Sequence, residues 1–279
     1  MTTSPRSVVR IARGRATSDG AGVRLTRVLG HGTDAGILDP FLMLDEFGSE
    51  KGADYVGGFP DHPHRGMETV TIMFDGRMRH GDNKGHGGVI GPGGVQWMTA
   101  GRGIVHSEMP EQEDGLLRGL QLWVNLPRAR KMAEPGYQNL DAADIPEVAL
   151  PGGGRVRVIA GSFGGTAGAA GGIAADPLLL DLHLGAGEAV DVPVHTGNTA
   201  FAYVADGAAD LGGTTVAAGG LAVLGDGDGV AVTATAPGTR LLVAAATPLN
   251  EPIAWYGPFV MNTQEEIKQA VRDYQAGRF

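Results

Sequence analysis

Hydrophobic residues along the chain form short segments, each alternating with polar residues or apolar throughout, and each ending at Gly, Pro, Asp or Asn. Such segments are typical of β-strands bounded by turns. In the first half the pattern predicts strands at residues 7–12, 41–45, 67–74, 95–99, 104–109 and 116–126. In the second half it predicts strands at residues 155–160, 178–184, 199–204, 221–224, 229–235 and 240–246. Because helical segments do not alternate with these strands, we expect an all-β protein of the sandwich or barrel type.

One short helix is predicted near the end of the sequence, at about residues 263–276. Thr263 and Glu266 have the spacing of a capping box, in which each side chain accepts from the other residue's backbone N–H. Apolar side chains follow on one helical face, at Ile267, Val271 and Tyr274. Gly277 fits the position just beyond a helix end.

The two sets of predicted strands are separated by a polar, proline-punctuated stretch at residues 127–151. We interpret this stretch as a linker and expect two consecutive β-domains, at residues 1–130 and 131–279, with the helix in the second domain. Residues 164–176 are rich in Gly and Ala, a composition that predicts a mobile loop.

The charge balance and the lack of cysteine exclude several functions. Among 279 residues, 22 Lys and Arg stand against 31 Asp and Glu, a net charge of −9. Nucleic acid is therefore an unfavourable ligand, since contact with its phosphates needs clustered cations. A chain with no Cys has no disulfide, no Cys-ligated metal site and no thiol nucleophile. The sequence shows no apolar core of a signal peptide and no apolar run of roughly 20 residues, so we expect a cytoplasmic protein that does not cross a membrane.

Two pairs of residues in the first half have the spacing of a metal site. His62 and His64 are two positions apart, as are His106 and Glu108. In a strand, residues i and i+2 point to the same face, so each pair would present its side chains together. Three imidazoles and one carboxylate suit a mid-row divalent metal. A single His on a strand is more often a hydrogen-bonded core or surface residue, but two converging pairs would be costly to bury without a cation.

Longer motifs surround these residues. The run at residues 62–110 begins HPHRGMETVTIMFDG, ends GRGIVHSEMP, and closely resembles the signature region of the pirin family. The segments DPFLMLDEFG at residues 39–48 and GPFVMNTQEEIKQAVRDYQAGRF at residues 257–279 resemble pirins too. The resemblance therefore extends through nearly the whole chain.

The resemblance implies a particular fold and cofactor. Pirins consist of two consecutive cupin-type β-barrels and hold one metal ion, usually iron, in the first barrel. The pirin ligand pattern of His-x-His followed by His-x-Glu falls on His62, His64, His106 and Glu108. The expected cofactor is one divalent ion, Fe(II) first, with other mid-row divalent metals as alternatives. His195, in the second half, has no His-x-His or His-x-Glu pattern around it, so we expect the second barrel to hold no metal.

Two functions are compatible with this site. Several pirins are similar to quercetin 2,3-dioxygenases in activity, which implies cleavage of a flavonol such as quercetin by O2 with release of CO. In that reaction Glu108 would accept the proton of the substrate hydroxyl as a general base. The alternative is a non-catalytic, redox-sensing regulator that binds protein partners through its metal-dependent surface. The same four ligands serve both functions, so the motif does not separate them.

Four neighbouring residues are open to more than one interpretation. Arg65 and Glu68 either orient a ligand imidazole or form an ordinary surface pair. His80 and His86 flank a glycine-rich stretch, and we interpret both as loop residues rather than ligands.

Overall fold

The computed structural model describes residues 4–30 and 36–279, and His31 lies outside this part of the chain. The chain forms two compact units. The histidine unit, which contains the four candidate ligands, comprises Arg15–Ile37, Phe41–Ala143 and Leu249–Phe279. The second unit comprises Met1–Gly14, Leu38–Pro40 and Asp144–Pro248. Strands are numbered β1 to β26 in chain order over the described residues.

The histidine unit is built from a large and a small antiparallel sheet. The large sheet has the spatial order β12 (Gly136–Leu140), β9 (Val95–Thr99), β6 (Met67–Asp75), β11 (Leu117–Asn125), β4 (Phe41–Ser49), β3 (Val23–Leu29) and β2 (Arg15–Asp19). The small sheet has the order β5 (Phe59–His64), β10 (Ile104–Pro110), β7 (Met78–Asp82) and β8 (Gly87–Ile90). A hairpin of β25 (Ala254–Tyr256) and β26 (Phe259–Met261) precedes the helix α1 (Gln264–Gln275).

The second unit repeats this plan. Its large sheet has the order β1 (Val8–Arg13), β22 (Gly220–Leu224), β19 (Thr199–Asp206), β24 (Thr239–Ala246), β17 (Leu178–Leu184), β14 (Arg155–Ala160) and β13 (Glu147–Ala149). Its small sheet has the order β18 (Ala189–Pro193), β23 (Gly229–Ala234), β20 (Ala208–Leu211) and β21 (Thr214–Ala217). A short hairpin joins β15 (Ser162–Phe163) to β16 (Thr166–Ala167).

This architecture confirms the all-β prediction and the two barrels. The predicted strands at residues 95–99, 155–160 and 178–184 coincide with β9, β14 and β17. Single-turn 3-10 helices lie at Gly52–Asp54, Arg128–Arg130 and Ala142–Asp144. Among the described residues, no helix combines the length and the apolar character that a membrane crossing needs.

The two units do not correspond to the two halves of the sequence. The first strand of the chain, β1, pairs with β22 and so extends the large sheet of the second unit. The β25–β26 hairpin and α1 belong to the histidine unit, whereas the division into residues 1–130 and 131–279 places the helix in the second domain. Long-range contacts explain the difference, since Arg65 forms a parallel bridge to Phe259 in β26.

The predicted linker at residues 127–151 contains the passage from the histidine unit to the second unit, between Ala143 and Asp144, but it also contains two strands. It contains β12, which completes one edge of the histidine unit's large sheet, and β13, which pairs with β14. The glycine-rich residues 164–176 also have fixed contacts, because Ala170 is buried and donates its N–H to the Ile159 carbonyl at 2.8 Å. The mobility of that segment stays a prediction.

The helix forms where its capping signal places it. Thr263 is the residue before the first turn; its side chain accepts from the Glu266 N–H at 3.2 Å, and the Glu266 carboxylate accepts from the Thr263 N–H at 2.9 Å. At the other end Gly277 has φ of 66° and donates to the Tyr274 carbonyl, as expected for glycine after a helix. The buried face of α1 consists of Ile267 and Ala270. It shares Ile267 with the predicted apolar stripe but has Ala270 where Val271 and Tyr274 were expected.

A buried lysine ties the hairpin to the body of the histidine unit. Lys131 is 2% exposed, and its ammonium group donates to the Asn125 side chain at 2.7 Å and to the carbonyls of Gly66 and Val260 at 2.8 Å each. An ammonium group has three N–H donors, and each of these has a partner. Lys131 therefore joins β11, the residue before β6 and β26 at one buried point.

We expect Lys131→Met to lower the free energy of unfolding by about 3 kcal/mol, because it leaves three buried acceptors without a donor. The matched control is Lys268→Met on α1, where the side chain is 66% exposed and the change should be within about 0.5 kcal/mol of zero. Urea unfolding followed by circular dichroism measures both. Equal stability of the two variants would contradict the role given to Lys131.

Candidate metal centre

Antiparallel pairing of β5 with β10 brings three imidazoles together. His62 lies directly opposite His106 in the register, and His64 follows two residues later on the same face. The ring centroids are 4.4 Å apart for His62 and His106, and 4.8 Å apart for His62 and His64. Nitrogens of the three rings lie within 4.8 Å of one another, so one metal ion fits among them.

The unpaired nitrogens of these rings fit a metal ion. His106 is fully buried, and neither of its ring nitrogens has a hydrogen-bond partner among the described residues. Within the same part of the chain, Nδ1 of the buried His64 has no partner. His62 donates from Nδ1 to the Pro60 carbonyl at 2.9 Å, which leaves its Nε2 with a lone pair. Because buried nitrogens without partners are costly, this donor set suits a divalent ion.

Two of the three rings are also held neutral. Burial lowers the pKa of His64 and His106 well below the ordinary histidine value, and the neighbouring imidazoles lower both further. A neutral imidazole carries the lone pair with which it binds a metal. At neutral pH no proton has to be displaced from either ring.

Glu108 reaches across the interior instead of joining the three imidazoles. It shares the inner face of β10 with His106, as the i, i+2 spacing predicts. Its carboxylate, however, accepts from Thr71 Oγ1 on β6 at 2.9 Å and from Gln121 Nε2 on β11 at 3.0 Å. Among the described residues, the ligand atoms within 4.8 Å of one another come from the imidazoles and not from Glu108. Burial raises the pKa of Glu108, and the proximity of His62 and these two hydrogen bonds oppose that rise.

Thr71 and Gln121 belong to a polar row that crosses the inner face of the large sheet. Strand register places six side chains next to one another on six neighbouring strands: Arg27, Asp45, Gln121, Thr71, Gln96 and Asn139. Three pairs of neighbours in this polar row hydrogen-bond: Arg27 with Asp45 at 2.7 Å, Thr71 with Gln121 at 2.9 Å, and Gln96 with Asn139 at 3.0 Å. Two residues further toward one end of the barrel, the same strands present an apolar layer that includes Leu25, Phe47 and Met73.

A cavity of about 540 Å³ opens beside the imidazoles, a size within the range of small-molecule sites. His62, His64 and Glu108 line it. Most of its other walls are aromatic or apolar: Leu25, Met43, Phe47, Phe59, Met78, Trp123, Trp255 and Tyr256. Trp123 stands edge-on to His64, with ring centroids 5.1 Å apart. The cavity suits a flat, largely apolar molecule with an oxygen facing the histidines.

Arg65 and Glu68 do not form a surface pair. Arg65, next to His64, is 4% exposed; it donates to the Arg102 carbonyl at 2.6 Å and to Asp273 at 2.7 Å. Its guanidinium also lies over the Phe279 ring, 4.4 Å from the centroid. Glu68 is buried on β6 and accepts from Thr99 Oγ1 at 2.7 Å. Arg65 therefore fastens the end of β5 to the helical segment that follows β26.

The interpretation of His80 as a loop residue is wrong. His80 lies on β7, is 3% exposed, and has no hydrogen-bond partner for either ring nitrogen among the described residues. Because side chains alternate along β7, His80 points inward together with Met78. The sequence pattern did not predict this strand. His86 lies in the turn between β7 and β8 as expected, with Nδ1 2.9 Å from Asp82.

The two other histidines lie in the second unit. His183 on β17 lies 3.2 Å from the buried Asp181, which also accepts from Arg240 at 2.7 Å. The backbone carbonyl of His195 accepts from Arg6 at 2.9 Å. That the second barrel holds no metal stays a prediction.

Sequence reasoning missed the residues of the large sheet that line the cavity. These residues lie on β3, β4 and β11, at positions where the residues two places away on the same strand also face inward: Arg27, Asp45, Gln121 and Trp123. The available signal was a polar residue at an inward-facing position of a strand whose side chains alternate. This signal does not show which strands are neighbours in the sheet.

Comparison with known proteins places this site in a family. The pirin family profile matches residues 22–124, and the profile of the pirin C-terminal cupin domain matches residues 179–279. A pirin-like protein of Caulobacter vibrioides is 54% identical over 275 residues, covering 98% of this chain and 99% of that protein. Pirin of Rattus norvegicus is 42% identical over 279 residues, covering 98% of this chain and 93% of that protein.

A solved structure is similar over the same extent. The crystal structure of quercetin 2,3-dioxygenase from Acinetobacter baumannii superimposes with a TM-score of 0.93 at 36% identity, covering 99% of each chain. Two family profiles and full-length relatives therefore agree with the two-barrel architecture, and the chain belongs to the pirin family of two-domain cupins.

Proposed function

We propose that this pirin is a metal-dependent dioxygenase that cleaves a flavonol such as quercetin with O2 and releases CO. The observation that carries the proposal is the convergence of three imidazoles beside an aromatic cavity that Glu108 also lines; two of them, His64 and His106, are buried with unpaired ring nitrogens. The similarity to a structure described as quercetin 2,3-dioxygenase supports the choice of substrate.

The metal would be held by His62, His64 and His106, with Glu108 as the fourth ligand. Three nitrogens and a carboxylate oxygen suit Fe(II) and other mid-row divalent ions. To reach such an ion Glu108 would rotate away from Thr71 and Gln121, so it would bind the metal in one rotamer and accept a proton in the other, which bonds to Thr71 and Gln121. A bound divalent ion would supply Lewis acidity that stabilises the oxyanion of a deprotonated substrate hydroxyl.

Glu108 has the surroundings of a proton acceptor. The Thr71 hydroxyl lies 2.9 Å from both Glu108 Oε1 and Gln121 Oε1, but it has one proton and can donate to one of them. When Glu108 is ionised, one of these two oxygen–oxygen contacts has no proton. When Glu108 is protonated, its hydroxyl donates to Thr71, the Thr71 hydroxyl donates to Gln121 Oε1, and Gln121 Nε2 donates to the other oxygen of Glu108. Together with the raised pKa, this ring favours uptake of a substrate proton by Glu108.

The remaining cavity residues would position the substrate. Trp123 and Trp255 both line the cavity, and their ring centroids are 5.9 Å apart with an interplanar angle of 33°. Aromatic side chains bind planar rings by stacking or edge-to-face contact, and they would exclude water from the histidines. The flat substrate would thus lie between aromatic walls with its hydroxyl toward Glu108.

We expect His64→Ala and His106→Ala to lose stoichiometric metal, because each removes one of the three converging imidazoles. The matched control is His195→Ala in the second unit, which should keep one ion per chain. Metal analysis of purified protein after anaerobic loading with Fe(II) measures all three. Full metal content in both His64→Ala and His106→Ala would overturn the site, and loss in His195→Ala would overturn its placement in one barrel.

We expect Glu108→Gln to reduce quercetin turnover by about 100-fold or more, the usual scale for losing a positioned base. The amide can still donate to Thr71, so the fold should persist, and metal content should fall only moderately because the imidazoles supply most donors. The measurement is the loss of quercetin absorbance with Fe(II)-loaded protein, and Glu111→Gln, just beyond β10, is the matched control.

The outcomes separate the assignments. Undiminished turnover in Glu108→Gln would contradict the base role alone. Wild-type protein that consumes no more flavonol than a metal-free control would contradict the dioxygenase and favour the regulator. In a regulator, Glu108→Gln would differ from the wild type only in metal redox behaviour or partner binding.

A further inference from the structure

The polar row ends at Arg27, which lines the same cavity as His62 and His64. Arg27 on β3 lies opposite Asp45 on β4, and Asp45 lies opposite Gln121 on β11. Neighbouring strands are about 4.8 Å apart, so Arg27 and the Gln121 that holds Glu108 are separated by about 10 Å. On the large sheet the cavity thus has two polar ends, Gln121 with the Glu108 that it holds at one and Arg27 at the other.

Two carboxylates fix the guanidinium of Arg27 and leave part of it available. Nε and Nη2 donate to the buried Asp45 at 2.9 and 2.7 Å, and Nη2 also donates to Asp19 at 3.1 Å. Within residues 4–30 and 36–279, Nη1 has no hydrogen-bond partner. The side chain of Arg27 is 37% exposed, and it lines the cavity together with Asp19 and Asp45. Nη1 therefore offers two N–H donors to a ligand.

Asp19 offers the complementary acceptor. Its Oδ1 accepts from the Gly20 N–H at 2.8 Å and its Oδ2 from Arg27, and the side chain is 58% exposed, so lone pairs remain. A donor on Arg27 next to an acceptor on Asp19 matches a hydroxyl group, which both accepts and donates. It matches two adjacent hydroxyls better still.

The charge of this cluster excludes other ligands. One guanidinium and two carboxylates give a net charge of −1, so a carboxylate or phosphate on the substrate would be repelled. An uncharged ring with hydroxyl groups meets no such repulsion. Between the two ends the walls are aromatic, which suits a rigid, flat connection longer than one six-membered ring.

We propose that Arg27 and Asp19, with Asp45 holding the guanidinium in place, are specificity-determining residues that bind the hydroxyl groups of the substrate ring remote from the metal centre. The inference rests on the proposed function for the identity of the substrate and deepens it. The preferred substrates are uncharged flavonols with hydroxyls on the pendant phenyl ring.

The test compares three flavonols with two, one and no hydroxyl groups on that ring: quercetin, kaempferol and galangin. In the wild type, we expect KM to rise by about 10-fold or more from two hydroxyls to none, the scale of a charge-assisted hydrogen bond, with kcat within about 2-fold. Asp19→Asn and Arg27→Lys should raise KM for quercetin toward that for galangin and leave galangin unchanged. Arg27→Lys keeps a cation beside the buried Asp45, so the fold persists. Glu134→Gln, in an exposed ion pair with Arg102, is the matched control.

Binding is measured separately from turnover, by quenching of tryptophan fluorescence in Fe(II)-loaded protein without O2. If no flavonol is turned over but the hydroxyl-dependent affinity is present and is lost in both variants, the dioxygenase fails and the subsite stands. If flavonols are turned over but the ratio of KM values is the same in wild type, Asp19→Asn and Arg27→Lys, the subsite is overturned. Equal affinity of all three flavonols for the wild type also overturns it.

Discussion

The register between β5 and β10 is the constraint on which the candidate site depends. It sets His62 opposite His106 and, through the two-residue repeat of a strand, adds His64 on the same face. A shift of one residue would turn the imidazoles out of the interior. Arg65 and the segment after residue 249 hold the end of β5 in this register, because Arg65 bonds to Asp273 and to the Arg102 carbonyl.

The interior of the histidine unit is organised in layers along the barrel. Apolar side chains around Phe47 and Met73 form one layer, the polar row forms the next, and Met43, Trp123 and other residues that line the cavity follow. Because each strand alternates, the layers arise from one residue per strand at matching register. Glu108 comes from the opposite sheet and is held by this polar row, so the carboxylate couples the two sheets in the middle of the barrel.

Local signals explain what the sequence could predict. The pairs His62–His64 and His106–Glu108 are two residues apart, and the capping box spans four residues, so each could be recognised without knowing the fold. The polar row could not be recognised, because Arg27 and Gln121 are neighbours only through the pairing of β3, β4 and β11. The strands within the predicted linker could not be recognised for the same reason. Residues 136–140 look polar and irregular, yet they pair with β9 as a sheet edge.

The histidine unit is assembled from segments far apart in the sequence, which has a consequence for its folding during synthesis. A ribosome releases the chain from its first residue onward, and β5, β6 and β10 emerge long before Asp273 and Val260, the contacts of Arg65 and Lys131. The unit therefore cannot complete its folding co-translationally as an N-terminal domain, and a nascent chain stopped after residue 143 would expose the buried ammonium of Lys131 with one acceptor missing. These contacts of long sequence separation form only after residues 249–279 have been synthesised.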